Sequence, residues 1–149
     1  MIILADGKLT GELALKDPIS QGTPNVNENG HWQPGNTEAA IPFNEWAHVA
    51  FTYDGALGTI YVNGEVAMQA EASGPVNQSN RCLTVGEWLS WIPLAWVPIG
   101  IVDDAGVWLS ALTQQEIKNI MKLGIAEGIT VSVEPADKLA TTWAQIKAQ

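Results

Sequence analysis

Asp103 and Asp104 are the only adjacent acids in the chain, and they lie in GIVDDAGVWLS, residues 100–110. Glycoside hydrolysis needs two carboxyl groups facing each other across the scissile bond. Neighbours on a strand point to opposite faces, so this pair cannot supply them. Metal binding at Asp103 and Asp104 competes with a structural role, in which Asp104 hydrogen-bonds a neighbouring loop, since buried acids need partners. The two histidines are His31 and His48. His48 lies in an apolar strand and reads as structural; His31 lies in an Asn-rich loop and reads as solvated. NVNENG (25–30) has the rhythm of a calcium loop, but its twelfth position is Asn36, where a bidentate Glu is needed. An Asn-Gly turn accounts for it. The one cysteine, Cys82, can form no intramolecular disulfide and reads as a small buried apolar residue. Gly-x-Ser-x-Gly, phosphate-loop and dinucleotide motifs are absent. Asn77-Gln78-Ser79 fits a glycosylation sequon.

Aromatic chemistry is more concentrated. WLSWIPLAWVP (88–98) holds Trp88, Trp91 and Trp96, with Glu87 at its edge. The uncharged run from Trp88 to Val102 is too short to span a membrane, which takes roughly 18–20 residues. The stretch therefore reads as apolar packing or as a ligand platform, where indole faces stack on sugar C–H surfaces. Proline stiffening would reduce the entropy lost on binding.

The elements that must position these residues alternate with period two. KLTGELALK (8–16) reads as a strand, 17–36 as a long Pro-, Gly- and Asn-rich loop, and TEAAIP (37–42) as a short strand. WAHVAFTYDG (46–55) places Val49, Phe51 and Tyr53 on one face. Asp54-Gly55 turns the chain into LGTIYVNG (57–64). Asn63-Gly64 turns it again into EVAMQAE (65–71), with Val66, Met68 and Ala70 inward. RCLTVG (81–86) and GIVDDAGVWLS (100–110) read as further strands. Thr113 and Glu116 then form a capping box for a helix ending at Gly124, with Ile117, Ile120 and Met121 on one face. ITVSVEP (129–135) reads as a last strand and 137–149 as a weaker helix. This is an all-β, antiparallel sandwich with one or two helices. Its 149 residues divide into a main domain, 1–127, and a C-terminal strand and helix or tail, 128–149.

The chain carries 7 Lys plus Arg against 16 Asp plus Glu, a formal net charge of −9. Such a surface repels phosphate backbones and anionic lipid heads. Nucleic acid and membrane insertion are therefore not expected.

NEWAHVAFTYDG, TIYVNGE, LTVGE and GIVDDAGVWLSALTQQEI resemble, in order, the signature stretches of laminin-G-like domains of the concanavalin A-like lectin/glucanase superfamily. The resemblance covers residues 37 to 124. It implies a jelly roll of two packed sheets, with Trp46, His48, Tyr53, Asp54, Asn63, Gly64, Gly86 and Trp108 at structural signature positions. Glucan-cutting members carry Glu-x-Asp-x-x-Glu, which this chain lacks. A more distant likeness to pentraxins runs through LTVGE and the helix. Their acidic calcium loop is here WLSWIPLAWVP, so that site does not carry over. A calcium site built from scattered Asp and backbone carbonyls stays open, and calcium is the one candidate cofactor. Such sandwiches run about 200 residues, so the first strands are expected to be missing. That would expose sheet edges and favour self-association. MIILADGKL lacks the leader of a signal peptide; an extracellular or cell-surface location is implied by the resemblance alone. The expected function is a non-catalytic recognition module binding carbohydrate or protein. The alternatives are a degenerate or accessory domain of a glycoside hydrolase and a purely structural interaction module.

Overall fold

Two short turns build the central sheet. Asp54 Oδ1 accepts the N–H groups of Ala56 (2.9 Å) and Leu57 (2.8 Å), folding the chain back on itself. Asn63 (φ 50°) and Gly64 (φ 75°) both sit at positive φ, the requirement of a type I′ hairpin turn. Between and beside these turns run β6 (Val49–Tyr53), β7 (Leu57–Val62) and β8 (Glu65–Glu71), an antiparallel meander. The coordinates are a computed structural model, and they describe residues 2–3, 7–16, 24–27, 31–77, 85 and 100–128.

Two smaller ladders complete the described strands. β1 (Ile2–Ile3), β2 (Lys8–Thr10) and β5 (Asn36–Ala40) form an antiparallel sheet in the order β1-β2-β5. Its register slips between Lys8 and Thr10. There the buried Thr37 Oγ1 accepts the Leu9 N–H at 2.9 Å, in place of a ladder bond. β3 (Leu13–Ala14) pairs with β4 (His31–Trp32). The chain beyond β3 bonds to residues 75–77, through Lys16 N–H to Pro75 O (2.9 Å) and Asn77 N–H to Ala14 O (2.7 Å). The described strands thus form three antiparallel sheets.

The core gathers on Trp32. This indole is fully buried with Leu15 and Ala72, and Leu13, Phe51, Tyr53 and Ala70 pack against the group. Its ring lies 6.2 Å from that of Phe51, tilted by 34°, within the favourable range for aromatic pairs. Trp32 Nε1–H donates to Glu71 O at 2.7 Å, so the buried polar atom is satisfied. Gly58 makes the contact fit, because a Cβ there would fall 2.3 Å from Cη2 of Trp32.

The helix α1 (Gln114–Leu123) starts at the expected capping box. Thr113 Oγ1 accepts the Glu116 N–H, and Glu116 Oε2 accepts the Thr113 N–H at 2.7 Å. Gly124 N–H closes the other end on Ile120 O. Ile117 and Ile120 are buried. The short α2 (Ile125–Gly128) packs back on α1. Gln114 Nε2 donates to Gly64 O and Glu65 Oε2, both at 2.9 Å, and Lys118 Nζ reaches Glu65 Oε1 at 2.7 Å. These contacts dock α1 on the Asn63-Gly64 turn.

Several expectations need correction. Residues 8–16 form two short strands interrupted at Gly11-Glu12. The loop 17–36 contains β4 and the start of β5. Val66 is exposed, not inward: β8 carries an extra residue, Ala67, between Tyr61↔Val66 and Ile60↔Met68, so alternation changes phase. Ile117, Ile120 and Met121 do share one face of α1, with Met121 41% exposed. Residues 100–110 form no strand. Asp104 sits at φ 49°, which breaks the extended run, and Ile101, Val102, Val107 and Leu109 stand exposed. RCLTVG apart from the exposed Val85, all of WLSWIPLAWVP, and residues 129–149 lie outside the described residues.

Candidate functional site

The turn at Asn63-Gly64 does more than reverse the chain. Asn63 Oδ1 accepts the His48 N–H at 2.9 Å, and Asn63 N–H donates to His48 O at 2.8 Å. This reciprocal pair fixes the strand entry at residues 46–48 against the hairpin. Helix α1, docked on the same turn, stands opposite. A groove of about 420 Å³ opens between them, lined by Trp46, His48, Asn63, Asp103, Asp104, Ile120, Met121 and Ile125 among others.

The groove is mixed in character. Trp46 is 71% exposed, so much of its indole faces solvent. Ile120, Met121 and Ile125 supply aliphatic surface. Asp103 and Asp104 are exposed carboxylates, and Asp104 N–H donates to Asp103 Oδ1 at 2.9 Å. His48 is half-buried, and its buried Nδ1 has no hydrogen-bond partner among the described residues. Burial holds its imidazole below the ordinary value of 6.5, because the charged form loses hydration.

The other signature residues serve the frame. Tyr53 OH donates to Gly74 O at 2.5 Å, tying β6 to the segment after β8. Burial, and then the charge of Asp54, push the Tyr53 phenol up. The amides of Ala56 and Leu57 hold the Asp54 carboxyl low. Trp108 is half-buried over Gly106, where a Cβ would meet its Cη2 at 2.5 Å. His31 is not simply solvated: its Nδ1 pairs with Glu12 Oε1, and Gln33 Nε2 donates to Glu12 Oε2. In the NVNENG stretch, Asn27 Oδ1 accepts the His31 N–H and Val26 bridges to Trp32, while residues 28–30 lie outside the described residues.

The structure therefore brings Asp103 and Asp104 together with Trp46, His48 and Asn63. Trp88, Trp91, Trp96, Glu87 and Gly86 lie outside the described residues. Sequence reasoning treated Trp46 as a structural position and missed its exposure. The available signal was its place before β6, next to the charged Glu45. Among the described residues, no three His, Cys, Asp or Glu side chains converge as metal ligands, and no helix is long and apolar enough to cross a membrane.

Residues 6–118 match a laminin-G family described as the concanavalin A-like lectin/glucanases superfamily. The chain belongs to this superfamily. The match spans the β1-β2-β5 sheet from β2 onward, the meander and the first half of α1 in this laminin-G-like domain. The crystal structure of an S-layer domain-containing protein (residues 221–444) from Clostridium thermocellum is similar at 19% identity and a TM-score of 0.46. The alignment covers 80% of the laminin-G-like chain and 66%, just under two thirds, of that structure's own chain. No curated protein matches the chain.

Proposed function

We propose that this laminin-G-like domain is a non-catalytic recognition module of an extracellular or cell-surface protein, binding carbohydrate or protein. The observation that carries this reading is Trp46, a largely exposed indole on the wall of a groove that also presents exposed carboxylates. Large exposed aromatics in concave sites favour binding, since they bury much area on contact. Family membership supports the same class of function. The non-catalytic part rests on the carboxylates. Asp103 and Asp104 are neighbours and sit at one place in the groove. The chain also lacks the Glu-x-Asp-x-x-Glu string that glucan-cutting members carry. Calcium belongs to the proposal as a weakly held ion at Asp103 and Asp104. It takes six to eight oxygens, so backbone carbonyls and solvent would supply most of them.

Glycan and peptide arrays, each run with calcium and then with chelator, test the reading. The expected result is binding that Trp46→Ala abolishes without changing the melting curve. Absence of binding on both arrays overturns the recognition reading. Release of reducing sugar from β-glucans overturns the non-catalytic one.

A further inference from the structure

We infer that the groove takes the cationic side chain of a protein partner, an arginine in preference to a lysine. This rests on the recognition reading above and selects its protein arm. The lining contains an exposed indole and two exposed carboxylates and, among the described residues, no Lys or Arg. Lys118, on the helix that forms one wall, is tied to Glu65 at 2.7 Å. The chain as a whole carries a net charge of −9, whose field draws cations toward the groove.

The choice of occupant follows from desolvation. With no calcium bound, a sugar seated on Trp46 would strip water from Asp103 and Asp104 and give back hydroxyl donors but no counter-charge. A cation supplies that charge. It also stacks favourably on the negative face of an indole. Guanidinium suits the place better than ammonium: it is planar, weakly hydrated, and carries donors in a fork that matches carboxylate oxygens. The aliphatic surface of Ile120, Met121 and Ile125 can receive the methylene stem of the same side chain. A volume of about 420 Å³ suits one long side chain together with the peptide backbone beside it.

The test uses the intact chain in chelator, so that no divalent ion competes for the two aspartates. Acetyl-Gly-Arg-Gly-amide is titrated while the indole N–H resonances are followed by NMR. The Trp46 resonance is assigned by its loss in Trp46→Phe. Matched peptides carry lysine or citrulline, the neutral isostere of arginine. The expected result is a shift of the Trp46 resonance by the arginine peptide, with affinity falling about fivefold or more for citrulline. The double variant Asp103→Asn, Asp104→Asn should weaken the arginine peptide similarly. Its fold should persist, because asparagine keeps the Oδ1 acceptor at 103 and tolerates the φ of 49° at 104. Equal binding of citrulline, or of lysine, overturns the inference as stated. If no peptide binds but an uncharged glycan does, through Trp46, the inference fails and the recognition reading stands. If neither glycans nor peptides bind, both fail.

Discussion

At Gly58 one missing carbon decides whether Trp32 can pack against the central sheet. An added Cβ would sit 2.3 Å from its Cη2 and about 3.0 Å from two more ring atoms. Gly58→Ala is therefore expected to destabilise the chain by about 1–3 kcal/mol through overpacking, measured by denaturant unfolding. Trp32→Phe in the same chain should recover part of that loss, because the smaller ring leaves room. Strict additivity of the two changes would show that the contact does not carry the effect. Little of this was legible beforehand. Trp32 follows a run of Pro, Gly and Asn with no periodicity, and nothing local marks it as the centre of the core. Tyr53, Asp54 and Asn63 were readable because their partners lie close in sequence or in a turn of known type. Trp46 was read as frame and stands in solvent, since exposure depends on what packs from elsewhere.

The meander and α1 were legible as elements because each is specified locally. Alternation gave β6, β7 and β8, and their turns carry residues that favour positive φ. The capping box gave the helix start to the residue. Thr113→Ala should cost about 1 kcal/mol and raise hydrogen exchange at the Gln115 and Glu116 amides. Unchanged exchange there would mean that docking on the hairpin, not the cap, holds the first turn. What failed was whatever depended on register or on a distant partner. The bulge at Ala67 moved Val66 outward, and period-two reasoning has no means of seeing an inserted residue. Residues 100–110 have strand composition, but a strand needs a ladder. Asp104 adopts a left-handed conformation, and no described strand lies alongside.

For the molecule as a whole, acid titration draws on groups that all act in one direction. Asp54, Glu65 and Glu116 have folded pKa values below their ordinary ones, through hydrogen bonds from Ala56 and Leu57, from Lys118 and from Thr113. Their contribution is present above the unfolded values, 3.8 for Asp and 4.5 for Glu, and is lost as pH falls through the folded ones. His48 is also held low. The unfolded chain therefore takes up its proton first as pH drops below 6.5, and folding weakens over that window. Thermal melts from pH 7.5 downward should show a shallow loss beginning near pH 6.5, and a steeper one below about 4.5. His48→Gln should remove only the first. The same slope in that variant would place the titration elsewhere. At this scale the sequence conveyed the class, antiparallel β with a short helix, and the superfamily. The two-sheet jelly-roll closure is not among the described ladders, and the groove depends on tertiary placement that no single stretch encodes. Trp32 sits against Gly58. Residues 26 apart in the chain share one volume. A lineage that enlarges position 58 must shrink position 32, so among relatives this contact would register as paired change more than as invariance at either site.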